Sequence, residues 1–528
     1  MANDPRSTTR RQIFQGSLVA LGAIGLAGAA IAPAEASTPA PRKWDVTTDV
    51  AVVGYGGAGA VAAVTAHDKG AKVLILEKQA ADKHTSNTQM CLGAILCPDS
   101  VPDAIAYMGI ASRVNVDIPE TQDISDAMIK AWAEASVANK AWLTSMGVKD
   151  FAVYANSGRD PRWPGNGAIK ALLIKTADGR GGSGVDLFNF LDGLVRARKI
   201  EVRWSSPATR LISDGHGTII GLLARSGGQD IAIRARRSVI LTCGGFEFDA
   251  AAQRTYMATQ PMVYYGNPDN TGDGIRMAQE HGADLWHMTV LGGGLKFKFA
   301  DFPTAFAPNI LSGGFVIVDK GGKRYKAEDQ LGGYSGYWNQ IVYDTVKYTW
   351  PRIPSYYVFD EKVRLTRPIV GTAYGAAGPV GMYSWSKDNS AEIARGWIKT
   401  DPTIEGLAAK IGVPPAALRA EIDAYNGYCA KGSDDEFGRA ARTLGPVSAP
   451  PFYAVAAWPG LNNTFGGPRR NEKAQIVDVF GKVIGGLYSA GELGSMFVQY
   501  PQGGANIGEC LAFGRIAGEN AAAEKPRG

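Results

Sequence analysis

Residues 49–77 constrain the fold of this chain more than any other segment. Asp49-Val50-Ala51-Val52-Val53 is a short apolar run of the kind that forms a strand buried on both faces. It passes at once into Gly54-Tyr55-Gly56-Gly57-Ala58-Gly59, a G-x-G-x-x-G turn. In such a unit Gly54 permits the tight turn, Gly56 lets the backbone approach a pyrophosphate, and Gly59 lets the following helix sit close on the sheet. Ala60 to Lys69, rich in Ala and Val, is expected to be that helix, with N-terminal N–H groups free to bind phosphate. Gly70 ends it and Lys72 to Leu76 reads as a second strand. Glu77 closes that strand, where an acidic side chain accepts ribose hydroxyls. Strand, glycine turn, helix, strand and acid in this order predict a βαβ dinucleotide-binding unit in an α/β fold.

The chain is 528 residues long. A single hydrophobic core stops growing at about 250–300 residues, so a second domain is expected. With 45% hydrophobic and 20% charged residues the composition is that of a globular protein. The net charge of +5 is small, and Arg6, Arg10 and Arg11 contribute to it at the extreme N-terminus. No basic tract interleaved with aromatics occurs, so nucleic acid is not an expected partner. The five cysteines are scattered and make no C-x-x-C pair, and there are five histidines, none in a metal-ligand pattern. No metal site is expected.

Thr9-Arg10-Arg11-Gln12-Ile13-Phe14 precedes an apolar run from Leu18 to Ala32, and Ala34-Glu35-Ala36 offers small residues for cleavage. Residues 1–36 therefore read as a twin-arginine signal peptide, which predicts export to the periplasm. The run is too short and too rich in Gly and Ala for a membrane helix, which needs about 20 apolar residues, so no span is expected after signal removal.

FAD rather than NAD is suggested by what lies beyond Glu77. Ser86-Asn87-Thr88 and Leu92-Gly93-Ala94 form a polar turn and a small-residue patch. Near the far end, Gly486-Leu487-Tyr488-Ser489-Ala490-Gly491-Glu492 reads as a strand entering a small-residue turn with an acid. Gln502-Gly503-Gly504-Ala505-Asn506-Ile507 then opens a helix through Ala522, and its N-terminus favours negative charge on a reduced flavin ring.

With these motifs, and with Val239 to Phe246, Asn270-Thr271-Gly272-Asp273-Gly274 and Gly322-Lys323-Arg324-Tyr325, the chain resembles the fumarate reductase flavoprotein and 3-ketosteroid dehydrogenase superfamily from about Asp45 to Glu524. The resemblance implies a Rossmann-like FAD domain made from both ends of the chain, residues 45–285 and 443–525. An α+β cap, residues 286–442, would be inserted between them. It implies FAD contacts at Gly54, Gly56, Gly59, Glu77, Lys78, Ser86, Asn87, Thr88, Gly93, Ala208, Asp273, Glu492, Asn506 and Ile507.

Fumarate-type members of that superfamily hold a dicarboxylate with arginine and histidine. Here no arginine follows Gly322-Lys323-Arg324-Tyr325 in the stretch to Tyr334, Asn462-Asn463 stands where a histidine would, and Tyr500-Pro501-Gln502 lacks a second arginine. A dianion needs such cationic partners, so a fumarate-like substrate is disfavoured. The same stretches resemble the ketosteroid dehydrogenases. That resemblance implies that Tyr500 and the Gly504 N–H hold a ketone oxygen, and that a cap tyrosine, Tyr334 with Tyr337 as its competitor, exchanges a proton with the substrate carbon. Cap aromatics including Tyr343, Tyr348, Trp350, Tyr357, Tyr374, Tyr383 and Trp385 suit a pocket for a small neutral ketone or enone. The expectation is an exported FAD oxidoreductase acting on the CH–CH bond beside a ketone, with an unidentified electron acceptor or donor. The alternatives are a reductase of an unsaturated carboxylate, a flavin electron carrier without a substrate, and the flavin subunit of a membrane complex.

Replacing Arg10 and Arg11 by lysine should retain the protein in the cytoplasm, read by fractionation and immunoblot. Unchanged periplasmic yield in a strain lacking the twin-arginine translocase would refute the assignment.

Overall fold

The structure, a computed structural model, describes residues 41, 43–310, 313–330, 336–371 and 382–527. The export segment 1–36 and the tyrosines Tyr334 and Tyr374 lie outside the described residues. Among the described residues no helix is long and apolar enough to cross a membrane.

The apolar run of the dinucleotide unit forms the strand Val46–Val53, paired in parallel with Val73–Leu76 on one side and Gln229–Leu241 on the other. Val483–Ser489, from the far end of the chain, lies parallel to Gln229–Leu241, and Glu201–Arg203 lies parallel to Val73–Leu76. These five strands form a parallel core built from both ends of the chain, and Gln475–Val477, Ala208–Ser213 and Ile219–Ser226 extend the sheet antiparallel. The helix Gly57–Asp68 begins three positions before Ala60, inside the glycine turn, because Gly56 takes the extended N-cap conformation and the Ala60 N–H already bonds the Gly56 carbonyl at 3.0 Å.

This first helix is buried from Gly57 to Ala66, which its small side chains explain. It packs against the C-terminal helix Ala505–Ala523 through residues almost without side chains. A Cβ on Gly518 would lie 2.5 Å from the Ala62 carbonyl oxygen, and one on Gly514 would lie 3.1 Å from the Ala58 oxygen. The two backbones thus touch where larger residues would hold them apart.

A second sheet is organised by the long strand Phe452–Thr464. It pairs antiparallel with Ser355–Asp360, Leu291–Phe297 and Lys399–Asp401, and parallel with Val263–Tyr264. One apolar cluster here is aromatic, with Phe297, Phe299, Phe306, Tyr357, Trp385 and Trp397. Another joins Val316, Val318 and Val358 to Leu407 and Leu418 of the helices Ile404–Ile411 and Pro415–Lys431. The last residues of the long strand, Asn462 and Asn463, reach the cleft described below.

The Gly322-Lys323-Arg324-Tyr325 motif serves this second unit. Arg324 makes two bonds to Glu328, at 2.7 and 2.8 Å, and two to Asp434, at 2.7 and 3.3 Å. Its guanidinium lies between the rings of Tyr425 and Phe437. Arg439 closes the network on the Phe315 carbonyl and Tyr425 hydroxyl, both at 2.8 Å. All four charged side chains are fully buried. Removing one member of such a network leaves buried charge uncompensated, at about 3–5 kcal/mol. Arg324→Ala should therefore lower unfolding stability by that amount in a denaturant titration, and a loss below about 1 kcal/mol would show the network to be dispensable.

Candidate active site

The glycine turn, the C-terminal turn and the end of the long strand face one another across a cleft of ≈ 390 Å³. Gly54 has φ +100°, and a Cβ there would lie 2.6 Å from the Thr242 carbonyl oxygen, so only glycine fits. A Cβ on Gly59 would lie 2.1 Å from the Gly54 oxygen. Gly56 differs: its nearest atoms to a Cβ, in Ser86 and Thr88, are at 3.8 Å, and its face opens into the cleft. Thr88 accepts from the Gly57 N–H at 2.9 Å and ties the polar Ser86-Asn87-Thr88 turn to the glycine turn.

Glu77 is buried, and its carboxylate accepts from the Tyr55 N–H at 3.0 Å and the Gln79 N–H at 2.9 Å, which fix it at the cleft wall. Lys78 is held by Asp273 at 2.8 Å and Thr271 at 2.9 Å. Ala208 lines the cleft close by, as do Ser86 and Gly93. Farther along, Asn87 donates to Glu492 at 2.9 Å and accepts from the Asn267 N–H at 2.9 Å. Glu492 also accepts from the Thr464 N–H at 3.2 Å, and Asn506 donates to Asn463 at 2.9 Å. Every cofactor position read from the sequence except Gly59 borders the cleft, and Gly59 packs beneath the turn.

At the other end Gly504, with φ +88°, precedes the C-terminal helix, whose positive end therefore points into the cleft. Tyr500 is buried and lines the same space, its ring 6.3 Å from that of Phe465. The intervening turn is pinned by Tyr107, which donates to the Pro501 carbonyl at 2.8 Å, and by Gln502, which donates to the Ser157 carbonyl at 2.6 Å. Tyr154 packs so close to Gly503 that a Cβ there would meet its ring at 2.5 Å. Tyr265 completes the wall and donates to the Met90 carbonyl at 2.7 Å.

Two expectations need correction. The described cap aromatics do not form the pocket. Tyr357, Tyr383 and Trp385 belong to the aromatic cluster of the second unit, while Tyr343 and Tyr348 are exposed. Periodicity and composition cannot separate core aromatics from pocket aromatics, because both are apolar environments. Tyr337 is also core: it is buried, burial pushes its hydroxyl upward in pKa, and it does not border the cleft. The cleft tyrosines Tyr154 and Tyr265 were missed, and no local motif marks them. Glu247 was missed as well, although it directly follows Gly244-Gly245-Phe246.

The open face of Gly56, the buried acid at the end of the second strand and the helix N-terminus suit a dinucleotide lying from Glu77 towards Gly504. Residues 49–507 match the family model described as the FAD binding domain. A probable fumarate reductase of Shewanella frigidimarina is 27% identical over 500 residues, which span 90% of this chain and 75% of that protein. Digoxin reductase of Eggerthella lenta is 26% identical over 525 residues, 92% of this chain and 89% of that protein. The solved 3-ketosteroid Δ1-dehydrogenase of Sterolibacterium denitrificans, in complex with 1,4-androstadiene-3,17-dione, has the same fold. The TM-score is 0.76 at 22% identity, over 91% of this chain and 100% of that one.

The two glycines separate folding from cofactor binding. Gly56→Val should fold normally by circular dichroism but purify without yellow colour, because the new side chain fills the face that opens on the cleft. Gly59→Val should fail to fold. A fully flavin-loaded Gly56→Val protein would show that the turn does not carry the pyrophosphate.

Proposed function

The chain belongs to the FAD-binding domain family, and from that premise we propose that it transfers hydrogen across the CH–CH bond beside a ketone. It is a flavin-dependent oxidoreductase of the fumarate reductase and ketosteroid dehydrogenase type, and its cofactor is FAD. Bound FAD accepts or supplies hydride, and the chain's own groups handle the oxygen and the proton.

The observation that carries this reading is the wall beside Gly504. Among the described residues that line the cleft there is no arginine, and Lys78 is committed to Asp273. A dianionic substrate would lack its partners there. Tyr500 and the Gly504 N–H instead supply two neutral donors next to a helix N-terminus. Such donors hold a ketone oxygen and stabilise the charge that develops on it when a neighbouring proton leaves. In the proposed reaction a tyrosine removes or returns that proton, and Tyr334, outside the described residues, is the assigned base. Tyr154 and Tyr265 shape the apolar space between. The electron partner is left open, and export through the twin-arginine route remains part of the proposal.

One observation favours the second reading, a reductase of an unsaturated monocarboxylate. Lys296 is buried with its ammonium 5.8 Å from the ring centre of the cleft residue Tyr265, and no described acid pairs with it. Burial alone lowers its pKa to about 8. A single cation there suits one carboxylate better than two.

Tyr500→Phe keeps the ring and deletes one donor. It should retain FAD and stability while turnover of ketone or enone substrates falls about 100- to 1,000-fold, which stopped-flow flavin bleaching would measure. Wild-type turnover in that variant would overturn the ketone site. Loss of unsaturated-acid turnover in Lys296→Met, with ketones inert towards wild type, would establish the second reading instead.

A further inference from the structure

Glu492 lines the cleft and forms a carboxyl pair with Glu247, which is buried and does not border the cleft. Glu247 is 1% exposed, and Glu492 is half-buried, open only towards the cleft. Asn87 bridges them, donating at 2.9 Å to Glu492 and at 3.3 Å to Glu247. A Cβ on Gly245 would lie 2.8 Å from Glu247 Oε2 and 2.9 Å from Glu492 Oε1, so both oxygens crowd one glycine that leaves room for them. Glu247 Oε2 is buried, and no donor among the described residues reaches it. The Glu492 carboxyl satisfies it when one of the two carries a proton.

Among the described residues, the surrounding elements offer no cation. Thr464, at the end of the long strand, gives its N–H to Glu492. Arg470 bonds the Gly491 and Leu493 carbonyls on either side of Glu492, but its charge is taken by Glu509. The Cys510 thiol, on the C-terminal helix, is raised by burial and then by Glu509 and Glu492. On the Glu247 side, Tyr264 and Asn270 present a hydroxyl and an amide, both buried and unsatisfied. Burial, and then the Glu247 charge, raises Tyr264. Two ionised carboxylates with no counter-charge in such a place are too costly to coexist. Burial raises both groups, and the Glu247 charge raises Glu492 further.

We infer that Glu247 and Glu492 share one proton in the oxidised enzyme and take up a second from solvent when the cofactor is reduced. The inference rests on FAD occupancy of the cleft and not on any substrate. Reduction with two electrons and one proton leaves the flavin one negative charge richer. The pair, itself a monoanion, then gains one proton from bulk water as a new O–H bond and becomes neutral, so the buried charge is unchanged.

The test uses the FAD-loaded enzyme without substrate, under electrochemical control. The pH dependence of the midpoint potential counts protons per two electrons. The wild type should take up two around neutral pH and Glu247→Gln one. The reduced-minus-oxidised infrared spectrum of the wild type should gain the C=O stretch of a protonated carboxyl, shifted in heavy water and absent in the variant. One proton in the wild type, two retained in Glu247→Gln, or no carboxyl gain would each overturn the inference. If Glu247→Gln loses FAD, the wild-type infrared measurement decides alone.

Discussion

The contact on which the rest depends is the close approach of the first helix to the C-terminal helix. Gly514 and Gly518 on one side and the Ala58 and Ala62 carbonyls on the other leave no room for a side chain between them. That contact brings residues about 450 positions apart against one another. The glycine turn then opens one end of the cleft and Gly504 closes the other. Without it the dinucleotide unit would have no partner for the far end of its ligand.

Much of this was legible from local pattern. The apolar run, the three glycines and the terminal acid encode the βαβ unit because each position has one steric duty. The duties are borne out at Gly54, where φ is +100°, and at Gly59, which sits against the Gly54 oxygen. A second strand-and-turn pattern before Glu492 was also legible, while the joining of both chain ends in one sheet came from the family resemblance. What stayed hidden was long-range. Tyr154 lies on an irregular hairpin and Tyr265 beyond a two-residue strand, and nothing in their neighbours marks them as pocket residues. Trp385 and Tyr383 look identical to pocket aromatics in sequence, yet they pack at a tilt against Trp397 inside the second unit. Glu247 could not be paired with Glu492 before the fold brought them together.

The cleft combines two electrostatic regimes. Near Glu77 the carboxylate is held by backbone N–H groups and Lys78 is paired with Asp273, so charge is fixed and compensated. Near Glu492 the described polar groups are amides, hydroxyls and carboxyls without a cation. A low effective dielectric magnifies any charge that appears there, which makes protonation the natural currency of that end.

The aromatic cluster around Phe299, Phe306 and Trp397 is separate from the cleft wall, and Arg324 with its buried partners stands apart from both. The residues that hold the second unit together are therefore different from those that meet a substrate. Exchanging Tyr154, Tyr265 or Asn462 disturbs the pocket without touching the cap's own core. Such a division lets sequence drift alter what the cleft accepts while the scaffold persists. It also gives a physical reason why proteins named for ketosteroid, digoxin and fumarate chemistry can share one architecture.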